Sequence, residues 1–90
     1  MHDVIEKYAE ENGLEDMIIF KNPDYTEAFI GHLDDGRAVY DYYKMVECLM
    51  KEDGMSEEDA MDFISFNTLR AIPYMGEKAP IVFYRKDVLE

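Results

Sequence analysis

The chain has 90 residues, of which 48% are hydrophobic and 13% aromatic, so it has the composition of one folded domain and too little length for two. Nine Lys and Arg stand against 21 Asp and Glu, which gives a formal net charge of −12. That charge excludes unaided binding to a nucleic-acid backbone or to an anionic membrane surface, because both need a basic footprint. The single cysteine excludes an internal disulfide and a zinc site built from several cysteines.

The excess negative charge lies in the first part of the chain. Residues 1–70 hold 18 acidic and six basic side chains, whereas residues 71–90 hold three of each. The first residues lack the basic and apolar stretches of a leader peptide, and the longest apolar runs are far too short to cross a bilayer. We therefore expect a cytoplasmic protein, and the lone cysteine suits a reducing compartment.

The first quarter of the chain predicts a helix followed by a strand. Asp3 is suited to cap a helix over residues 3–12, since Glu6 follows at the capping-box spacing. Residues 17–20 form a short apolar run rich in β-formers, so they predict a strand. The Asn-Pro-Asp sequence at residues 22–24 predicts a turn after it.

Residues 28–42 give the clearest local signal, a β-hairpin. Asp35 and Gly36 are a preferred pair for a type I′ turn, whose positive φ angles match the twist of paired strands. This turn would place Asp34 opposite Arg37 as an ion pair across the hairpin. The same register opposes Leu33 to Ala38, His32 to Val39 and Gly31 to Tyr40.

The second half predicts two helices and a last strand. Apolar positions at helical spacing predict a helix over residues 41–53 that ends at Gly54. Ser56 is suited to cap the next helix, which Pro73 would end by moving Ile72 out of the α region. Residues 81–84 are almost wholly apolar and predict a strand that is central or buried on both faces.

In chain order these elements read α-β-β-β-α-α-β over a single domain of residues 1–90. We therefore expect an α+β fold. It would combine about three helices with a three- or four-stranded, mostly antiparallel sheet.

Six carboxylates form the densest charged group in the chain: Glu52, Asp53, Glu57, Glu58, Asp59 and Asp62. Their spacing matches no calcium loop, and a helix dipole stabilises acidic residues in its first turn, so a solvated turn is one interpretation. The other interpretation is a surface that docks a basic partner. Tyr42 and Tyr43 are then candidate anchors, because tyrosine combines a large contact area with a polar tip.

Catalytic chemistry has weaker support. A small metal-dependent enzyme would use His32 with Asp34 and nearby carboxylates, but a catalytic zinc ion usually has three protein ligands. Cys48 adjoins the apolar stripe of its helix and is predicted to be a small buried side chain. We therefore expect no catalytic residue, no metal, no cofactor and no enzymatic activity.

One set of segments resembles a group of short, acidic, uncharacterised proteins of Gram-positive bacteria and their mobile elements. The segments are residues 36–41, residues 55–56 and the run Asn67-Thr68-Leu69-Arg70-Ala71-Ile72-Pro73-Tyr74. The resemblance covers about residues 31–85 and implies a small accessory protein with no activity to carry over. Small acidic anti-restriction and anti-CRISPR proteins become relevant if the mobile-element association holds. Whether Asn67, Arg70 and Tyr74 are functional or structural stays open.

The sequence thus predicts a small acidic accessory module that docks a basic protein partner, with an inhibitor or nucleic-acid mimic of the anti-restriction or anti-CRISPR type as one form of that role. It predicts no direct contact with nucleic acid or membrane. One alternative is a homo-oligomeric structural protein assembled through a strand edge or through methionine-rich helices. The other is the small metal-dependent enzyme that would use His32.

Overall fold

The computed structural model describes residues 3–86 and confirms the α+β class, with a three-stranded sheet. Its elements in chain order are α1 (Asp3–Glu11), β1 (Phe29–His32), β2 (Ala38–Asp41), α2 (Tyr42–Asp53), α3 (Glu57–Phe63), α4 (Leu69–Ala71) and β3 (Ile81–Phe83). A π-helical turn at Ile64–Thr68 joins α3 to α4, and 3-10 turns lie at Thr26–Ala28 and Ile72–Tyr74.

The sheet is mixed, with β2 in the centre. β2 is antiparallel to β1 and parallel to β3. The parallel pair is possible because the helical segment between β2 and β3 provides the long crossover that such a pair requires. The prediction that residues 81–84 form a central or doubly buried strand is wrong, since β3 lies at the sheet edge and Phe83 is 45% exposed. An apolar run of this length occurs at an edge as well as in a centre.

The strand predicted at residues 17–20 does not form. This segment has no regular structure, yet Phe20 is buried between the rings of Tyr25 and Tyr40, with centroid distances of 5.6 and 4.8 Å. The backbone N–H of Phe20 donates to the hydroxyl of Tyr40 at 3.1 Å. A side-chain hydroxyl therefore satisfies the buried N–H that a neighbouring strand would otherwise have to satisfy.

The hairpin forms, but in a different register from the predicted one. His32 pairs with Ala38 and Phe29 with Tyr40, and a bulge lies between Phe29 and Gly31. The cause is the turn: among the described residues only glycines have positive φ, so Asp35 does not adopt the conformation that a type I′ turn requires. The loop has three residues instead, and Gly36 takes the left-handed position at its end, with φ of 90°.

The predicted ion pair between Asp34 and Arg37 is also absent. Arg37 instead donates from Nε to the carbonyl of Ala79 at 2.8 Å, while its backbone N–H donates to the Asp35 carboxylate. The side chain of Lys78 donates to the carbonyl of Asp35. The hairpin tip is thus tied to the segment that leads into β3.

The amphipathic stripe of α2 is confirmed. Tyr42, Met45, Val46 and Leu49 are buried, whereas Met50 is 39% exposed. Gly54 ends the helix in the left-handed conformation, with φ of 69°. These residues share one core with the buried side chains of the sheet, of α1, of residues 20–28 and of the α3 segment, among them Ile5, Tyr25, Ala28, Ala38, Tyr40, Ala60 and Ile64.

A buried carboxylate lies where β2 passes directly into α2. Asp41 is 2% exposed, and its Oδ1 accepts hydrogen bonds from the backbone N–H groups of Tyr43 at 2.9 Å and Lys44 at 3.2 Å. Its Oδ2 lies 2.6 Å from Nε of Arg85, just beyond β3. Because that Nε has no aligned hydrogen-bond acceptor among the described residues, the contact is an ion pair. Asp41 therefore caps a helix and holds the end of the neighbouring strand.

The last helical segment begins as predicted and ends later. Ser56 caps α3, accepting a hydrogen bond from the N–H of Asp59 at 3.1 Å. The prediction for Ile72 is wrong, because Ile72 stays in the α region with φ −55° and ψ −45°. Pro73 lies in the first turn of the 3-10 helix Ile72–Tyr74, where its missing N–H leaves no partner unsatisfied.

The double role of Asp41 predicts a graded loss of stability. Asp41→Asn keeps a capping oxygen but breaks an ion pair whose two facing atoms are buried, so it should lower the free energy of unfolding by about 3 kcal/mol. Asp41→Ala loses both contacts and should cost about 4 kcal/mol. Urea denaturation of both variants measures the difference. Equal losses would mean that the cap contributes nothing.

Tyr40 predicts a loss of stability at high pH. Burial raises its pKa from the ordinary value of 10.0 to about 12, so the unfolded chain releases this proton before the folded chain does. The contribution of Tyr40 is therefore complete below about pH 10 and is lost as the pH rises toward 12. Urea denaturation from pH 8 to pH 12 should show a steeper decline for the wild type than for Tyr40→Phe. Parallel profiles would contradict the assignment.

Candidate docking surface

The six predicted carboxylates lie on α2 and α3, the two packed helices that flank Gly54, and we call them the acidic surface. Glu52 and Asp53 end α2, the acidic residues at positions 57–59 form the first turn of α3, and Asp62 follows one turn later. All six are exposed, and among residues 3–86 no basic side chain forms an ion pair with any of them. The sequence has no Lys, Arg or His from Glu52 to Leu69. The negative charge of this surface is therefore uncompensated.

The two candidate tyrosine anchors differ in what they present to solvent. Tyr42 is only 8% exposed and stacks on Tyr84, with ring centroids 4.6 Å apart. Tyr43 is half-buried, and the guanidinium of Arg85 lies 5.8 Å from its ring centroid. Burial raises the pKa of Tyr42, and the neighbouring Tyr84, Tyr43 and Asp62 raise it further. Tyr42 therefore packs inside the protein next to Asp62 of the acidic surface. Tyr43 exposes more of its side chain and has more area available to a partner.

Exposed apolar side chains adjoin the same carboxylates, and the sequence analysis missed them. Met61 is 41% exposed and Phe66 is 63% exposed, with Phe66 about one turn beyond Asp62. The buried positions of this segment are Ala60, Ile64 and Thr68, at intervals of four residues. A helical projection with that stripe on the core side places Phe66 outside, so the signal was present in the sequence. Large exposed apolar groups beside charge are typical of protein-binding surfaces.

A π-helical turn carries Phe66. Its last residue, Thr68, is buried, and the Thr68 hydroxyl is hydrogen-bonded to the hydroxyl of Tyr25 at 2.8 Å. Asn67 donates from Nδ2 to the carbonyl of Phe63 at 3.1 Å. Asn67 is exposed, and this hydrogen bond lies within its own helical segment and not at the turn of residues 72–74. Arg70 is exposed, and Tyr74 is 90% exposed.

A cavity of about 460 Å³ opens between residues 22–27 and the C-terminal half of α2. Its apolar lining includes Pro23, Leu49 and Phe63. Its acidic lining consists of four carboxylates, those of Asp24, Glu27, Glu52 and Asp53. No sequence pattern indicated this cavity, because its walls are more than twenty residues apart in the chain.

Cys48 is buried in the wall of this cavity. Burial raises the pKa of its thiol to about 11, and the negative charges of Glu27 and Glu52 contribute in the same direction. A thiol in this environment stays protonated near neutral pH, which fits the predicted role as a small buried side chain and not that of a nucleophile.

His32 does not lie where a small metal-dependent enzyme would need it. It is exposed, and its Nδ1 lies 2.6 Å from the hydroxyl of Tyr8 in a hydrogen bond. His32 lines neither the cavity between residues 22–27 and α2 nor the one between α1 and residues 14–21. Within residues 3–86, no group of three His, Cys, Asp or Glu side chains is arranged to hold a metal ion.

Comparison with known proteins adds no relative. No family model matches the chain, and no curated protein or solved structure is significantly similar to it. Among the helices of the described residues, none has the length and apolar character needed to span a membrane.

The environment of Cys48 predicts slow alkylation in the folded protein. With the pKa of the thiol raised from 9.0 to about 11, the thiolate fraction at pH 8 falls by roughly a hundredfold. Iodoacetamide should therefore react at least that much more slowly with folded protein than with protein unfolded in urea. Mass spectrometry measures the modification, and the single cysteine makes it specific for this position. Similar rates in the two states would contradict the burial of Cys48.

Proposed function

We propose that this protein is a small acidic binding module that docks a basic partner protein through the acidic surface. The observation that carries the proposal is the set of six exposed, uncompensated carboxylates on α2 and α3. A surface of one sign raises the rate of encounter with a partner of opposite charge and disfavours wrong partners. The module acts by occupancy and catalyses no reaction.

The apolar groups beside the carboxylates support the same proposal. Complementary charge raises the rate of association and the selectivity for the right partner. Most of the binding free energy comes from a few large side chains that become buried in the interface. Phe66, at 63% exposure, and Met61, at 41%, supply such groups next to Asp62. The partner would then present basic residues around an apolar pocket.

The proposed partner class is a protein whose own ligand is a nucleic acid. Such proteins carry clefts lined with Lys and Arg that recognise rows of phosphates. Carboxylates on two packed helices offer a row of negative charges without a nucleic-acid backbone, so the module would act as an inhibitor by mimicry.

A second candidate, self-association, has one specific observation in its favour. Within residues 3–86, no strand pairs with the outer edge of β3, and Phe83 and Tyr84 are 45% and 52% exposed. An exposed apolar edge strand can pair with a second copy. Arg85 and Lys86 follow directly, so this end of the described chain lacks the charge repulsion found elsewhere. Light scattering at micromolar concentration distinguishes a monomer from such an assembly.

The docking proposal predicts that removing charge from α3 weakens partner binding. The test variant is Glu57→Gln/Glu58→Gln/Asp59→Asn/Asp62→Asn, compared with wild type against a basic protein captured from lysate of the source organism. At under 1 kcal/mol for each exposed charge, the loss should total about 2 kcal/mol, or roughly thirtyfold in Kd. The salt dependence of Kd should become shallower.

A matched control separates local from global charge. Glu10→Gln/Glu11→Gln/Glu15→Gln/Asp16→Asn removes the same charge from exposed residues on and just after α1, and should bind nearly as well as wild type. Phe66→Ala should weaken binding without changing its salt dependence. Equal losses in both fourfold variants would reduce the effect to net charge and overturn the assigned surface.

A further inference from the structure

The cavity beside α2 combines an apolar lining with an acidic one. Pro23, Leu49 and Phe63 contribute the apolar part, and the carboxylates of residues 24, 27, 52 and 53 contribute the acidic part. At about 460 Å³ it exceeds the space that one water molecule needs by more than tenfold. A ligand that fits both parts has an extended apolar stem and a cationic head. Among protein side chains, only those of Lys and Arg have that composition.

The four carboxylates are engaged to different degrees. Glu27 binds the ammonium group of Lys51, which is 3.4 Å from both of its carboxylate oxygens. Asp24 accepts hydrogen bonds at Oδ1 from the backbone N–H and the hydroxyl of Thr26. Glu52 and Asp53 form no ion pair with a basic side chain among the described residues. One ammonium group is thus already held beside the cavity, and two adjacent carboxylates are available to a further cation.

The negative charges of Glu52 and Asp53 affect the pKa values of two buried groups. Glu52 contributes to the raised pKa of Cys48, and Asp53 contributes to the raised pKa of the buried Tyr25, after burial in each case. Both carboxylates also lie in the last turn of α2, where the helix dipole disfavours negative charge. A cation bound there would relieve this repulsion.

We propose that this cavity receives an arginine side chain of the basic partner. Arginine is favoured over lysine because its planar guanidinium can bind two carboxylates together and stack on an aromatic ring, here that of Phe63. The inference rests on the proposed function, since it names the side chain that the docked partner inserts. It adds a defined socket to a surface that otherwise acts by charge and apolar contact.

The test uses three end-blocked peptides that share a glycine- and serine-rich sequence and differ only in the inserted residue. One carries arginine, one carries lysine, and one carries citrulline, which has the shape of arginine without its charge. Isothermal titration measures Kd, and alkylation of Cys48 reports occupancy of the cavity. The arginine peptide should bind about tenfold more tightly than the citrulline peptide and should slow alkylation. Equal protection by the lysine peptide would overturn the preference for arginine.

Paired variants separate this socket from the acidic surface as a whole. Glu52→Gln/Asp53→Asn should abolish protection of Cys48, measured as the ratio of alkylation rates with and without peptide in each variant. Glu57→Gln/Glu58→Gln removes the same charge outside the cavity and should keep that protection. If the arginine peptide binds with salt dependence but leaves alkylation unchanged, the socket is wrong and the docking proposal stands. If no peptide binds, the socket is overturned, and the fourfold charge-removal variants described above decide the docking proposal separately.

A further experiment tests whether the cavity binds a free small molecule with a guanidinium group instead of an arginine side chain of a protein. Arginine amide, the free amino-acid derivative, should protect Cys48 only at much higher concentration than the peptide does. Equal protection at equal concentration would assign the cavity to a small guanidinium compound and overturn its role in docking a protein. Thermal unfolding of each variant, followed by circular dichroism, confirms that the exposed substitutions leave the fold intact.

Discussion

A strand that passes directly into a helix creates a problem of unsatisfied backbone groups, and Asp41 solves it. β2 ends at Asp41 and α2 begins at Tyr42, so no loop residue is available to cap the helix. The buried carboxylate binds two N–H groups of the first turn and, on its other oxygen, Arg85 beyond β3. This one side chain therefore joins the first turn of α2 to the residue that follows Tyr84, whose ring stacks on Tyr42.

Buried tyrosine hydroxyls hold the part of the chain that has no regular structure. Tyr40 accepts the N–H of Phe20, and Tyr25 is hydrogen-bonded to Thr68 in the π-helical turn. Both tyrosines are fully buried, so each hydroxyl needs the partner that it has. The two bonds link residues 20–25 to the sheet on one side and to the last helical segment on the other. They thereby fix the wall that residues 22–27 contribute to the cavity.

Signals that act within one helical turn could be predicted from the sequence. The stripe of α2, the cap at Ser56 and the left-handed Gly54 are of this kind, because spacing and residue type decide them locally. The register of the hairpin could not be predicted, since it depends on whether Asp35 or only Gly36 takes positive φ. The cavity could not be predicted from the sequence either. Its carboxylates were visible in the sequence, but their approach to residues 22–27 depends on packing between distant segments.

The six carboxylates of the acidic surface differ in how they affect the stability of the fold. Those at positions 57–59 lie at the N-terminus of α3, where the helix dipole stabilises each by a few tenths of a kcal/mol, so they contribute to the fold. Glu52 and Asp53 lie at the C-terminal end of α2, where the same effect opposes them, and Lys51, the basic residue of that turn, forms its ion pair with Glu27 instead. Folding therefore accounts for the α3 group, whereas the α2 pair costs stability in the free protein. A cation bound beside these two carboxylates would relieve the repulsion, and the relief would add to the free energy of binding. This is the physical reason for proposing that the most specific contact with a partner lies at Glu52 and Asp53.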